Sequence, residues 1–326
     1  MGIELGALNM RHGLCLAPMA GYTDRAMRLV CHKYGVEHSV SEMVSAKAVV
    51  FGDKKTFALA KISEDEGPVS VQIFGSEPEI MAEAAHTLAN PPEGARPVAI
   101  DINMGCPVNK IFGNGEGSAL MRSPELIERI TRGVSGAIDI PTTVKIRAGI
   151  NKNSINAIEC ARAAEEGGAS LICIHGRTRE QMYGGTADRE IIKNVKSALH
   201  IPLIANGDIV DGESAIAMLR DTNADGIAIG RGAVGNPFIF EEILCAIEGR
   251  SFTPPSLEER VDIALLQLKT AIEDKGERVA IPEARKQIAL YLRSFRGAAR
   301  IRAEINRATT YAEVEIALKS ALYDQE

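Results

Sequence analysis

TTVKIRAGINKNSINAIECARAAEEGGASLICIHG, residues 142–176, is the stretch on which the fold turns. Its two ends, TTVKIR (142–147) and SLICIHG (170–176), are short, β-branched and apolar. Between them SINAIECARAAEEG (154–167) repeats apolar residues at helical spacing. The reading is strand, helix, strand. Outward from this unit the same alternation recurs. CLAPMA (15–20), HSVSEM (38–43), VSVQIF (69–74) and VAIDINM (98–104) precede it, and PLIANG (202–207) and GIAIGRG (226–232) follow. EPEIMAEAAHTLA (77–89) and SPELIERITRGVSGA (123–137) are the clearest further helices, and Ser123 and Asp211 are expected N-caps.

Eight strands in a βαβα series predict a parallel α/β sheet, and eight is the closure number of a (β/α)8 TIM barrel. A doubly wound sheet would want GxGxxG after its first strand; here that strand runs into APMAGYTD. The barrel also accounts for where the unusual residues fall. Asn103, Cys106, Lys145, His175, Asn206, Asp208 and Arg231 all lie at or just past strand C-ends, where barrel enzymes place their chemistry.

The 326 residues are 45% hydrophobic and 25% charged, which excludes disorder, a collagen and a disulfide scaffold. No apolar run approaches the roughly 20 residues of a membrane span, and MGIELGALNMRHG carries no signal-peptide core. The six cysteines form no CxxC and the six histidines no HExxH, so the expectation is a reducing cytoplasm, no disulfide and no metal. Net charge is −6, but Arg285 to Arg307 holds seven cations against Glu304. Local charge is the better guide to a polyanion site.

That basic segment lies in a region of different pattern. SFTPPS (251–256) reads as a linker, dividing residues 1–250, the barrel, from 251–326, an all-α helical bundle. LEERVDIALLQLKTAIEDKG (257–276) and IPEARKQIALYLRSFRG (281–297) are its first helices, the second with Pro282 in its opening turn. AARIRAEINRA and YAEVEIALKSAL complete it. Drawn as one helix from 285 to 307, Arg285, Arg293, Arg296, Arg300 and Arg307 would share an arc of about 80°, with Gly297 as the expected break.

The chemistry begins with INMGCPVNKIFGNGEGSAL (102–120): a strand ending at Asn103, a Gly turn, then Cys106 before Pro107 on a Gly-rich loop. A thiol of ordinary pKa near 8.5 is protonated at neutral pH, so Cys106 can serve as acid or as nucleophile. Gly207, Gly230 and Gly232 after the seventh and eighth strands permit close approach of a phosphate, with Arg231 as its charge partner. Lys145 and His175 face one barrel mouth, and Gln72 offers a donor and an acceptor to a ring edge. Together they predict a planar, phosphate-bearing cofactor, better a flavin mononucleotide than a sugar phosphate.

LAPMAGYTD (16–24), SEM (41–43), VQIFGS (71–76), DINMGCPVNK (101–110), VKIRAG (144–149), HGRTREQMYGGTAD (175–188), IPLIANGDI (201–209) and IGRGAVGNPFIF (229–240) closely resemble the tRNA-dihydrouridine synthases over essentially the whole chain. The resemblance implies an FMN-containing barrel, a helical tRNA-binding domain, NADPH (or NADH) as reductant, and reduction of the C5–C6 double bond of particular tRNA uridines. Carried over by motif, Cys106 gives the proton to uracil C5. Pro18, Met19, Ala20, Gln72, Lys145 and His175 contact FMN, and Asn206, Gly207, Asp208, Gly230 and Arg231 hold its phosphate end. Lys110, Arg177, Arg285, Lys286, Arg293 and Arg296 are the implied tRNA contacts of a cytoplasmic monomer.

This chain departs from the family at four places. Gly113 stands where a second Lys is common, and Glu116 where a small residue is. Gln287 and Leu290 replace His and Trp in the tail motif. Two other readings compete. A free-pyrimidine flavoenzyme of the dihydroorotate dehydrogenase type shares the loop Cys and the Lys but does not need residues 251–326. A non-catalytic RNA-binding protein would need none of the intact cofactor positions.

Overall fold

The computed structural model describes residues 2–293 and 295–323. A small antiparallel hairpin, β1 (Ile3–Leu5) and β2 (Leu8–Met10), comes first. The barrel follows: β3 (Leu14–Leu16), β4 (His38–Val40), a two-residue β5 (Val44–Ser45), β6 (Val69–Phe74), β7 (Ile100–Asn103), β8 (Thr142–Arg147), β9 (Leu171–His175), β10 (Leu203–Asn206) and β11 (Gly226–Ile229). All pair in parallel in the order β4-β3-β11-β10-β9-β8-β7-β6, and β4 pairs β6 to close the ring. The eight expected strands are therefore present, joined by helices, in a TIM barrel. HSVSEM is not one strand: it breaks after Val40, where Ser41 turns its hydroxyl to the Gln72 amide and Glu42 takes the Gly21 N–H.

Period-two alternation sorts the strand residues. Val71, Ile73, Ile100, Ile102, Val144, Ile146, Ile172 and Ile174 join the main core with residues of the surrounding helices. The inward set divides by height. At the N-terminal end Leu171, Cys173, Ile204 and Ala228 form a separate apolar cluster with Ile3, Leu5 and Met10 of the hairpin, which plugs the barrel floor. At the C-terminal end the inward positions are polar: Gln72, Asp101, Asn103, Thr143, Lys145, His175 and Asn206. Registers bring them together, Gln72 opposite Asp101, Asp101 opposite Thr143, Asn103 opposite Lys145, and His175 opposite Asn206.

The helices start where their caps dictate. Ser123 accepts from Leu126 N–H, and Asp211 and Ser214 form a reciprocal capping box. After the helix Ile239–Glu248 the chain turns through left-handed Gly249 and enters Leu257–Lys275. The next helix begins at Glu277, not at Ile281, so Pro282 lies inside it rather than in its first turn. It passes into a 3-10 turn at Ala289–Leu292 and ends at Arg293, whose ψ of 135° is extended. The helix Ala298–Arg307 is a separate element. The single arc of arginines from 285 to 307 therefore does not exist.

These C-terminal helices dock on the first barrel helix, Arg25–Lys33. Lys275 Nζ lies 2.7 Å from Asp24 and 2.9 Å from Glu283, and Arg25 lies 2.9 Å from Asp274. Beneath the ion pairs is a buried amide network. Tyr291 Oη donates to Gln267 Oε1 at 2.6 Å, and Gln267 Nε2 donates to Gln287 Oε1 at 2.9 Å. Leu290 closes on Gly235, at which a Cβ would approach Leu290 Cβ to 2.5 Å.

Candidate active site

A chain of buried hydrogen bonds crosses the upper barrel. Thr143 Oγ1 and Gln72 Nε2 donate to the two Asp101 carboxylate oxygens at 2.5 and 2.6 Å. Asn103 Nδ2 donates to Gln72 Oε1 at 2.8 Å. Asn103 Oδ1 in turn accepts the backbone N–H groups of Cys106 and Gly105, at 2.9 and 3.2 Å. Gln72 is 1% and Asp101 3% exposed, so water cannot replace these partners. A carboxylate only accepts, which fixes both amide orientations and points an acceptor at the Cys106 loop. Burial holds the Asp101 carboxyl above its ordinary value against the pull of Thr143 and Gln72.

Cys106 is 8% exposed, and its carbonyl accepts from Ser118 Oγ at 2.7 Å. Burial pushes the thiol upward; the Val108 N–H and the Arg147 charge oppose that but do not reverse it. Arg147 staples the loop in place. It donates to Gly105 O at 2.8 Å, and to Thr178 O and Met182 O of the loop after β9 at 3.0 and 3.1 Å. Burial lowers its pKa to about 10, which leaves it charged at neutral pH.

Lys145 Nζ donates to Asn206 Oδ1 at 3.1 Å, and Asn206 Nδ2 is tied to Ala228 O at 2.7 Å. His175 is held neutral, its pKa lowered to about 2 by burial first and then by the charges of Lys145, Arg147, Arg177 and Arg231. Four cations thus converge on one ring. Gly207, at φ +125°, passes so close that a Cβ would lie 2.9 Å from His175 Cδ2 and 2.7 Å from Ala187 Cβ. Asp208 is left-handed at φ +55° and accepts from Ala187 N–H at 2.7 Å. A Cβ on Gly230 would make ordinary contacts with Met19 Sδ, at 3.4 Å, and with Ala17 and Met19 carbons, so Gly230 lies beside the Pro18, Met19 and Ala20 loop.

The fold thus gathers Cys106, Gln72, Lys145, His175, Asn206, Gly207, Asp208, Gly230 and Arg231 at one end of the barrel. Arg177, expected as a tRNA contact, is withheld. It is 2% exposed, pairs with Asp208 at 2.8 Å, and donates to Gly184 O and Gly185 O. Arg285 is half-buried and donates to Ala308 O at 2.6 Å, so part of its guanidinium ends a helix. Lys110, Lys286, Arg293 and Arg296 are exposed, Lys286 with Nζ 4.4 Å from the Tyr22 ring centre. Sequence reasoning did not single out Asp101, Thr143 or Arg147. The register Gln72–Asp101–Thr143 was the available signal for the first two; the Arg147 acceptors are loop carbonyls that no motif shows.

The family profile described as dihydrouridine synthase (Dus) matches residues 15–326. The chain belongs to the dihydrouridine synthase family. Relatives cover nearly its full length. A tRNA-dihydrouridine synthase B of Xanthomonas campestris pv. campestris is 39% identical over 99% of this chain and 96% of its own. One from Shewanella oneidensis is 40% identical over 95% of each. A probable tRNA-dihydrouridine synthase 1 of a Synechocystis species is 38% identical over 98% of this chain and 89% of its own. Among solved structures, a morphinone reductase superposes with a TM-score of 0.55 at 13% identity, covering 79% of this chain and 91% of its own. That likeness supports the barrel alone. Membership in the Dus family makes the chain an oxidoreductase acting on a CH–CH bond. Among the described residues no helix is long and apolar enough to cross a membrane, and no cluster of His, Cys, Asp and Glu could hold a metal ion.

Proposed function

We propose that this Dus-family chain reduces the C5–C6 double bond of uridines in tRNA, with residues 1–250 as the FMN-binding catalytic domain and 251–326 as a helical tRNA-binding domain, in the cytoplasm. One observation carries the reading: a thiol held protonated, on a loop pinned over a mouth where four cations meet. The donor set fits FMN. Among the described residues Asp208 pairs with Arg177 and Arg231, Asp101 faces Lys145, and Arg147 has no carboxylate partner, which leaves charge for a phosphate monoester. Arg231 and the backbone about Gly207 and Gly230 would hold that phosphate. Asp208 would act through the arginines it orients, since its own charge repels a phosphate. Pro18, Met19, Ala20, Gln72, Lys145 and His175 would line the ring system.

Bound there, FMN would supply hydride chemistry toward C6 of the uracil ring, with NADPH as the reductant. The chain supplies the rest. Cys106 delivers a proton to C5, a role for a neutral thiol rather than a thiolate. Lys145, aimed by Asn206, would stabilise negative charge on a ring system held at the mouth. The target base must leave its stack to reach the mouth, and Lys110, Lys286, Arg293 and Arg296 would hold the surrounding backbone. Cys106→Ala tests the reading. Flavin uptake should persist while dihydrouridine formation on tRNA transcripts falls by at least about 100-fold; undiminished product would remove the proton-donor role. Anaerobic reoxidation of the reduced protein by tRNA, with orotate in a parallel cell, fixes the substrate class.

A further inference from the structure

Phe112, on the short helix Asn109–Gly113 of the Cys106 loop, carries two guanidinium groups. Arg122 lies 4.3 Å and Arg179 4.0 Å from its ring centre. They come from separate elements of the barrel rim, the end of the 3-10 turn Gly117–Arg122 and the loop after β9. Arg179 also reaches Asn109 Oδ1, while its Nε is buried with no acceptor. Among the described residues neither arginine forms an ion pair, and neither do Lys110 or Lys152 nearby. Several other arginines of the barrel are answered by carboxylates: Arg28 faces Glu66, Arg96 faces Asp139 and Arg189 faces Asp221. In a chain of net charge −6, this arc of the rim keeps its cations unanswered.

Beside Arg179 a cleft of about 1140 Å³ opens between the loop after β8 and the loop after β9. Asn151, Lys152, Asn153 and Thr186 line it over Ile155 and Ile191. Two carboxylates also face it: Asp188, which caps the helix Arg189–Ala198, and Glu180, which forms no ion pair among the described residues. The arc lies on the β7–β9 side of the barrel, across from the loops after β3 and β11 that meet the C-terminal helices.

We propose that Arg122, Arg179, Lys110 and Lys152 form a second backbone-phosphate site for RNA, on the flank of the Cys106 loop opposite the helical domain. The site rests on the tRNA reading above and deepens it. A ring stack holds each guanidinium plane but consumes none of its N–H donors, and a phosphate accepts from such a fork in pairs. The buried Arg179 Nε lacks the acceptor a phosphate oxygen would bring. The cleft leaves room for the nucleotide attached to that phosphate. RNA gripped on both sides of the mouth is held taut across it, which favours extrusion of the base between the two grips.

The test uses the full-length protein, as purified with its flavin, and tRNA transcripts lacking dihydrouridine. Kd is measured from about 50 to about 300 mM KCl for wild type, Arg122→Gln, Arg179→Gln, the double variant and Arg122→Lys. Arg122 is exposed, and among the described residues its side chain stacks on the Phe112 ring without a hydrogen bond or ion pair, so Arg122→Gln is the variant least able to disturb the fold. Each lost phosphate contact should flatten the slope of log Kd against log salt by about 0.7–0.9 and weaken binding about 3- to 10-fold near physiological salt. Arg122→Lys should keep most of the slope, and flavin uptake should be unchanged throughout. An unaltered slope and Kd in the double variant overturn the site. So does weakened binding reproduced by an acidic peptide competitor with the RNA slope intact. Charge reversal at Arg293 and Arg296, run alongside, separates the failures. If those reversals flatten the slope and the rim variants do not, the tRNA reading stands and the rim site falls. A wild type without salt-dependent tRNA binding takes both down.

Discussion

Replacing Gln72 by Glu should turn the barrel interior into a pH-dependent liability. Gln72 sits between two partners with opposite needs: it gives Nε2–H to Asp101 and takes a hydrogen from Asn103. Gln72→Leu, of similar size, strands the Asp101 oxygen and the Asn103 N–H together. Each buried orphan costs about 1–3 kcal/mol, so the loss should be about 2–6 kcal/mol. Glu at 72 can reproduce both bonds, but only when protonated, because a carboxylate there faces another carboxylate. Burial already holds Asp101 above its ordinary value, so the pair will keep one proton between them. The folded pair then binds that proton more tightly than the unfolded chain. The variant is therefore near wild type at acid pH and loses stability as pH rises above the ordinary Glu value. The deficit grows by about 1.4 kcal/mol per pH unit from about pH 4.3, reaching about 4 kcal/mol at neutral pH. Urea unfolding of flavin-stripped wild type and Gln72→Glu, followed by circular dichroism at several pH values, reads the gap directly. A gap that does not change with pH, or a Gln72→Leu variant within about 0.5 kcal/mol of wild type, would refute the bonding scheme.

Gly207→Ala should destabilise by about 2 kcal/mol or more, since a Cβ at φ +125° would lie 2.7 Å from Ala187 Cβ and against the His175 ring; a melting temperature equal to wild type would show that the turn can relax. Lys275→Met removes the cation shared by Asp24 and Glu283 and should cost about 1–3 kcal/mol. Its signature is faster proteolytic cleavage in the 251–256 linker, reversed by Lys275→Arg, and an unchanged cleavage rate would mean the apolar contacts alone hold the helices.

The barrel was legible because its outward strand residues are apolar at every second position and its helices carry ordinary caps. The edges were less so. β1 and β2 have three residues each, too few to show alternation, and they declare themselves only by burying Ile3, Leu5 and Met10 against the barrel floor. Pro282 was read as a helix start because proline favours the first turn. Here the helix is already under way at Glu277, held by packing of Ile281, Ala284 and Ile288 in the main core and of Ala280 against Ala26 and Ala271. In the site, Cys106, Lys145 and His175 stand in motifs whose chemistry is local. Arg177 misled because a basic motif does not reveal whether its charge is already answered, and the answer, Asp208, comes 31 residues later. Asp101 and Arg147 work through partners on other strands and loops, which are contacts of the fold rather than of the motif.

The electrostatics of the mouth decide what Cys106 can be. Arg147 is the charge facing the thiol, and a cation beside a cysteine ordinarily yields a thiolate. Here that charge is spread over three carbonyls, Gly105, Thr178 and Met182, none of them the sulfur. The sulfur has lost water on nearly all sides, and burial outweighs both Arg147 and the Val108 N–H. Burial first, and then the charges of Lys145, Arg147, Arg177 and Arg231, lower the His175 pKa to about 2, so protonation of His175 offers no competing acid at neutral pH. On the proposed reading, a mouth arranged in this way would receive negative charge at Lys145 and Arg231 and give up a proton at Cys106. Those are the two demands of adding a hydride and then a proton across a polarised double bond.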